Sequence, residues 1–352
     1  MKLIELGWNQ HFQSYFQSYQ HAGFSAAKVI SENKNNYILL NEHDELIAEC
    51  AGKLLYTVGS SAELPKVGDW VVVTIIEDEK KAIIHHVLPR YSKFSRKIVG
   101  KKTEEQIVGT NLDCVFIVQS LDENFNLRRL ERYLLLAREG NIQAIIVLNK
   151  ADLICDIDSK LKLIARASIL NKILVVSSVD LQGISELQSC LEYGKSYALV
   201  GSSGVGKSSL INVLLGKNLQ SIQEVRSTDS KGRHTTTRRE LIQLESGAWL
   251  MDTPGMREIH LWADEESLHT TFDEISQYAQ ECHFKDCTHT SEIKCAVKKA
   301  IEKGMIDESR YKSYLKLQRE IEYLEADKEY LRIKEKKFRK IHKELKEIQK
   351  IK

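Results

Sequence analysis

The sequence predicts a multidomain α/β chain: a small N-terminal β-barrel, a central, mainly parallel sheet covered by helices, and a helical C-terminal part. Three observations carry this. Short strand-like runs separated by Asn-, Asp- or Gly-containing turns crowd residues 25–88, as in a small barrel. From 112 to 262, near-continuous apolar runs alternate with helical ones, the pattern of strands buried on both faces. After about 264 no strand signal remains. The chain has 352 residues, 42% hydrophobic and 28% charged, enough for two or three cores. The expected boundaries are 1–100, 101–263 and 264–352.

Residues 1–23 read as a helix with Leu6, Phe12, Tyr15, Phe16 and Tyr19 on one face, expected to pack on the barrel. Five strands follow, AAKVIS, NYILLN, LIAEC, DWVVVTII and AIIHHVL. The OB-fold is the leading arrangement, with an SH3-like barrel the alternative. RYSKFSRKIVGKK (90–102) places Arg90, Lys93, Arg96 and Lys97 around Tyr91 and Phe94. Such interleaving suits stacked bases and phosphates, and it equally suits a basic linker. The central strands read DCVFIVQS, IQAIIVLN, ILVVSS, SYALVG, RELIQLES and GAWLMDT. None of the three prolines, Pro65, Pro89 and Pro254, interrupts them. Residues 306–352 form a charged helical region with Tyr314, Leu315, Leu317, Ile321, Leu324 and Leu331 as its apolar positions, either a hairpin or an exposed arm.

Net charge is +2, but residues 294–352 hold 19 Lys/Arg against 11 Asp/Glu. That asymmetry points to a polyanion or to a solvated basic helix. No run of about 18 apolar residues exists, so no membrane span is expected. The N-terminus is a poor secretion signal, and the expected compartment is the cytoplasm. Seven cysteines, an odd number, argue against a disulfide framework. Cys50, Cys114, Cys155 and Cys190 are isolated and read as small buried hydrophobes.

GSSGVGKS (201–208) fits the phosphate-loop pattern and lies between an apolar strand and a helix, the context that pattern requires. The backbone of Gly201, Ser202, Ser203, Gly204, Val205 and Gly206, running into Ser209, would cradle phosphates at a helix N-terminus. Lys207 would reach the β- and γ-phosphates and Ser208 would ligate Mg²⁺. In MDTPG, Asp252 would hold Mg²⁺ through water and Gly255 would offer its N–H to the γ-phosphate. Between them, STDSKGRHTTTRRE reads as a loop able to bring a threonine hydroxyl onto Mg²⁺. LNKADL (148–153) follows a strand. There a carboxylate at Asp152 accepts from the N–H and NH₂ of guanine, which adenine lacks. Asn149 stands beside it, and Lys150 can lay its stem over the base. Ser177 and Ser178, at the end of ILVVSS, stand where a backbone N–H would meet the guanine carbonyl.

The base selector therefore precedes the phosphate loop by about 50 residues, the reverse of the usual order. A circular permutation keeps the site intact, because ligand contacts come from loops on one sheet edge however they are connected.

With VGDWV, FNLRRLERYL, VLNKADL, GSSGVGKSSLIN, GRHTTTRREL and DTPGMRE in this order, the sequence resembles the circularly permuted GTPases of small-ribosomal-subunit biogenesis, the RsgA or YjeQ family, over roughly residues 35–300. The resemblance implies an OB-fold, a permuted P-loop GTPase domain and a zinc-bearing helical domain. It implies GTP hydrolysis on the small (30S) ribosomal subunit and its rRNA during late maturation, with release after hydrolysis, by a protein expected to act as a monomer. The alternative is a GTP-sensing RNA-binding protein acting on another RNA with little turnover. Met256 stands where many GTPases carry a water-orienting Gln. His234 is the nearest candidate to replace it, with support from the resemblance, which also favours Thr236 over Thr235 and Thr237 as the Mg²⁺ ligand. Gly204 stands where potassium-dependent GTPases place an Asn, so dependence on K⁺ is not expected.

ECHFKDCTHTSEIKC contains three cysteines and two histidines. Three thiolates and one imidazole make a closed tetrahedral site for one structural Zn²⁺. His283 competes as the fourth ligand; the family spacing selects Cys282, Cys287, His289 and Cys295.

Overall fold

In the computed structural model the described residues are 2–33, 36–98, 104–153, 156–166, 171–216, 239–252 and 261–350, with side chains described to residue 330 in the last helix. The chain divides into two compact units, 1–96 with 106–259, and 97–105 with 260–352.

The first unit opens with a 3₁₀ turn, Leu3–Leu6, closed by Gly7 at φ 88°. The turn ends there because only glycine adopts that left-handed backbone cheaply. Helix α1 (Gln10–His21) restarts behind Asn9, whose side chain accepts from the Phe12 N–H at 3.3 Å. The expected single helix over 1–23 is thus two pieces, with Trp8 in the break. Leu6, Phe12 and Phe16 are buried as expected, whereas Tyr15 faces out. Trp8 stacks edge-on against Trp70 with centroids 4.6 Å apart, so the N-terminal segment packs on the barrel.

The barrel strands are β1 (Ser25–Glu32), β2 (Tyr37–Leu40), β3 (Glu45–Cys50), β4 (Trp70–Ile76) and β5 (Lys81–Val87), in the order β1-β2-β3-β5-β4 with β4 returning to β1. The β3–β5 pair is parallel and the rest are antiparallel. A short helix, α2 (Gly52–Thr57), links β3 to β4. This closure is that of an OB-type barrel around Ala27, Val29, Leu39, Leu46, Val71, Val73 and Ile84. Of the 90–102 stretch, residues 90–98 are described and 99–102 lie outside the described residues. The described part forms β6 (Lys93–Lys97), paired with β7 (Glu105–Thr110), and Phe94 is 1% exposed.

The central sheet runs β10 (Ile173–Val175), β9 (Gln143–Asn149), β8 (Cys114–Ser120), β11 (Ser196–Val200), β13 (Trp249–Asp252), β12 (Glu240–Gln243). All neighbours are parallel except β12 and β13. Helices α3 (Leu127–Glu139), α4 (Ile157–Arg166), α5 (Ile184–Ser189) and α6 (Lys207–Leu215) connect these strands. Leu210, Ile211, Leu214 and Leu187 pack with Phe116, Val118, Val147 and Leu199 in the core. One antiparallel rung, Ser31 on β1 with Glu240 on β12, joins barrel and central sheet into eleven strands.

The second unit holds α7 (Glu265–Thr271), α8 (Asp273–Gln280), α9 (Ala296–Glu302) and α10 (Glu308–Lys350). The open choice between hairpin and arm resolves as one 43-residue helix. Its first turns bury Tyr314, Leu317, Ile321 and Leu324. Arg310 is 2% exposed, lies over the Phe272 ring at 4.0 Å, and donates to Glu274 Oε1 at 2.6 Å and Thr271 O at 2.8 Å. Among the described residues no helix is long and apolar enough to cross a membrane. Cys114 is buried, while Cys50 and Cys190 are only half-buried. Cys155 lies outside the described residues.

Candidate guanine-nucleotide site and metal centre

The parallel strands β8, β9, β10 and β11 end on one edge, and the loops leaving them carry the motif residues. β11 delivers the phosphate loop, and α6 starts at Lys207 behind Gly206, whose φ is 93°. A Cβ at Gly206 would sit 2.2 Å from Asn149 Nδ2, so glycine is what lets the 148–153 segment close on the loop. Asn149 Nδ2 donates to Val205 O at 2.9 Å. The two motifs, 56 residues apart in sequence, are therefore in direct contact. Asn149 is fully buried, yet its Oδ1 has no protein partner. A buried orphan acceptor at this spot fits a ligand donor.

Lys150 adopts φ 65°, which turns the chain sharply after β9 into the 3₁₀ turn Ala151–Leu153. Ala151 N donates to Val176 O at 3.1 Å, so this turn is fastened to the residue that follows β10. Ser177 Oγ donates to Asp152 Oδ1 at 2.6 Å. The sequence suggested only a backbone role for Ser177; its hydroxyl fixes one oxygen of Asp152. Ser178 follows, half-buried, in the same loop.

At the phosphate end Lys207 Nζ donates to Gly201 O at 2.8 Å and Ser202 O at 2.7 Å. Ser203, Gly204, Ser208 and Ser209 are exposed, and nothing lies within 4 Å of a Cβ built at Gly204. This is an open cradle at a helix N-terminus, as an anion requires. Asp252 ends β13 opposite Glu240; its backbone is described and its side chain is not. His234, Thr236 and Gly255 lie outside the described residues.

Asp122, which no sequence motif marked, accepts from Lys150 Nζ at 2.8 Å and from Ser120 Oγ at 2.6 Å. Desolvation pushes its carboxyl up. Hydrogen bonds from Lys150, Ser120 and the Asn124 N–H, with the Lys150 charge, outweigh that and hold it at about 2. It is thus an anchored anion that orients Lys150.

The cationic stretch is more structural than expected. Arg90 donates to both oxygens of Asp69, at 2.8 and 2.7 Å, and to the carbonyls of Ala62 and Leu64. Arg96 Nε donates to Gln106 Oε1 at 2.9 Å, and Lys97 lies 3.7 Å from Asp327. Arg90, Lys93, Arg96 and Lys97 are all half-buried.

In the second unit Cys282, Cys287, His289 and Cys295 converge, with their ligand atoms within 4.8 Å of one another. His289 Nδ1 lies 3.5 Å from both Cys282 Sγ and Cys295 Sγ, and those two sulfurs are 3.9 Å apart. Edges of about 3.5–3.8 Å are what a tetrahedral zinc with Cys and His ligands spans. His283 instead sets its ring edge-on against Phe284. The Tyr311 hydroxyl fixes the His289 carbonyl at 2.6 Å, and burial holds the imidazole below its ordinary pKa, in the neutral form a metal needs. The donor set fits one structural Zn²⁺.

An OB-type barrel followed by a GTPase sheet whose base selector precedes its phosphate loop, with a Cys₃His cluster beyond, defines the circularly permuted GTPases. The sequence profile of the RsgA GTPase family matches residues 87–262. The RsgA small ribosomal subunit biogenesis GTPase of Opitutus terrae is 43% identical over 332 residues, covering 92% of this chain and 90% of its own. RsgA 2 of Lactiplantibacillus plantarum is 44% identical over 84% of this chain and 83% of its own. The crystal structure of YjeQ from Thermotoga maritima superposes with a TM-score of 0.63 at 28% identity, covering 85% of this chain and 98% of that one. The circularly permuted GTPase YloQ superposes with a TM-score of 0.60. This chain belongs to the RsgA GTPase family, and is a GTP hydrolase with a site for GTP or GDP and Mg²⁺.

Proposed function

We propose that the protein binds the small (30S) ribosomal subunit through its rRNA in the GTP state, assists late maturation, and leaves after hydrolysis. In this reading it works as a monomer in the cytoplasm. Residues 1–100 supply an RNA-facing barrel, 101–263 the GTPase and 264–352 a zinc-held helical domain. The observation that carries the reading is the contact between Asn149 and Val205, which makes guanine selection and phosphate binding one site.

Within that site Asp152 reads the base, with Asn149, Ser177 and Ser178 around it and Lys150 over it. Residues 201–209 hold the phosphates, and Lys207 moves from the Gly201 and Ser202 carbonyls to the β- and γ-phosphates. Ser208, Thr236 and Asp252 hold Mg²⁺, which neutralises charge developing on the transferred phosphoryl group. Gly255 senses the γ-phosphate, and His234 orients the attacking water in place of the missing Gln. Cys282, Cys287, His289 and Cys295 hold zinc. Lys93, Arg96 and Lys97, with the basic end of α10, meet rRNA phosphates. Arg90 supports them by bracing the barrel through Asp69.

The test is GTP turnover with and without purified small subunits, and sedimentation of the protein with them in GDP or a nonhydrolysable GTP analogue. The expected result is slow intrinsic turnover, strong stimulation by subunits, and co-sedimentation only with the analogue. His234→Ala is expected to lose about 100-fold or more of the stimulated rate. Stimulation retained in that variant would remove His234 from the mechanism, and sedimentation indifferent to nucleotide would sink the release step.

A further inference from the structure

Three side chains outside every nucleotide motif join the two ends of the site. Asp122 and Asn124 lie in the turn after β8, and Arg129 lies in the first turns of α3. Asp122 Oδ2 holds Lys150 Nζ at 2.8 Å, and its Oδ1 accepts from the Asn124 N–H at 3.0 Å. Asn124 then reaches the phosphate loop: its Nδ2 donates to Ser203 O at 3.1 Å. Arg129 Nη1 donates both to Asn124 Oδ1, at 2.9 Å, and to Ser202 Oγ, at 2.6 Å. Ser202 is only 9% exposed, so this contact braces the loop from behind.

The chemistry of the loop gives these bonds a purpose. A trans peptide carries its C=O and the following N–H on opposite sides. With the Ser203 carbonyl held by Asn124, the Gly204 N–H is turned away from the β8–α3 turn, on the side where a phosphate oxygen needs a donor. Arg129 contributes two of its five donors to the same arrangement, one for each partner, from a planar fork.

We infer that Asp122, Asn124 and Arg129 are positioning residues that couple guanine recognition to the phosphate loop. Seating the base against Lys150 and Asp152 tightens the strap, and the strap sets the Ser203–Gly204 peptide. This rests on the reading of the site as a GTP site. It also explains how this chain, whose base selector and phosphate loop are made in reverse order, keeps the two in register: the turn between β8 and α3, with the first turn of α3, reaches Lys150 on one side and the phosphate loop on the other.

The test uses the full chain and calorimetry with GTP and ATP in Mg²⁺. Among the described residues, the hydrogen bonds of the Arg129 guanidinium go to the phosphate loop and its brace. A merely structural role would weaken both nucleotides by the same factor. Coupling instead requires Arg129→Met to lower the GTP-over-ATP preference, expected at about tenfold for the loss of charged hydrogen bonds. Arg129→Lys, which keeps the charge but not the fork, is expected to restore part of that preference. The milder pair Asp122→Asn and Arg129→Lys gives a second reading. Their combined effect on GTP affinity is expected to fall short of the product of the single effects. An unchanged GTP-over-ATP ratio in Arg129→Met, or a double variant within about twofold of the product, overturns the strap. A wild-type protein with no GTP preference would instead overturn the underlying site reading.

Discussion

Asp152 keeps one oxygen on the Ser177 hydroxyl, so a change at this position alters base chemistry without releasing the turn. In Asp152→Asn the amide oxygen still accepts from Ser177, while its NH₂ meets guanine's own N–H groups. GTP affinity is expected to fall about 100-fold, and xanthosine triphosphate, with a carbonyl in place of guanine's amino group, is expected to gain. Calorimetry with the two nucleotides checks this; an unaltered order of affinity would show that Asp152 does not read the base. At this scale the sequence was informative wherever chemistry is local. Asn149, Lys150, Asp152 and Lys207 sit in contiguous motifs, and the structure brings Asn149 against the phosphate loop that carries Lys207. Asp122 stood in no motif, and Arg129, although within FNLRRLERYL, was given no role, because their partners, Lys150 and Ser202, are 28 and 73 residues away. Arg90 looked available for RNA because nothing nearby in the sequence announces Asp69.

The loop before helix α9 has little apolar material of its own. Cys295 and His289 are buried, but Phe284 is half-exposed and Ile293 is 98% exposed. Only a cation that takes up the thiolates ties these four side chains together, so metal and local fold form together. Removal of zinc by a strong chelator, or Cys287→Ser, is expected to open residues 281–295 to proteolysis while GDP binding is retained. Protection of that segment in the metal-free protein would contradict this. Among the elements, the five barrel strands and the six sheet strands were legible from alternation and apolar runs. The β6–β7 pair was not, because its charged residues obscure a strand whose buried positions are only Phe94 and Ser95. The length of α10 was open because a hairpin and a single helix share one pattern until a turn signal decides, and none is present.

Across the first unit, the N-terminal segment fastens the barrel to the central sheet. Trp249 Nε1 donates to Glu5 O at 2.8 Å, and Lys28 Nζ donates to Leu6 O at 2.7 Å and Ser196 Oγ at 3.0 Å. Lys28 and Ser196 border a cavity of about 230 Å³ with Trp8, Trp70, Tyr91 and Asp113. Strand alternation gave no hint that Lys28 is 2% exposed; it is covered because segments 3–8 and 194–196 close over it. Burial lowers its pKa to about 8, and Asp113 opposes that shift. Since the unfolded value is near 10.5, the unfolded chain binds more protons between about pH 8 and 10.5, and this group's contribution to stability rises with pH through that window. The stability difference between wild type and Lys28→Met, followed by denaturant unfolding, is expected to shift in favour of wild type on going from pH 8 to 10, by on the order of 3 kcal/mol at most. A difference flat in pH would mean that the ammonium is not desolvated.

The strand order also bears on how the chain is made. β11 lies between β8 and β13, yet it is the fourth of the six sheet strands to be synthesised. A nascent chain that has completed β8, β9 and β10 still presents one bare flank of β8, and holds a base-reading turn with no loop to close against. Assembly of this enzyme therefore waits for its middle. The phosphate loop arrives only with residues 196–208, after the turn that carries Asn149 and Asp152, whereas in the usual chain order it is made first.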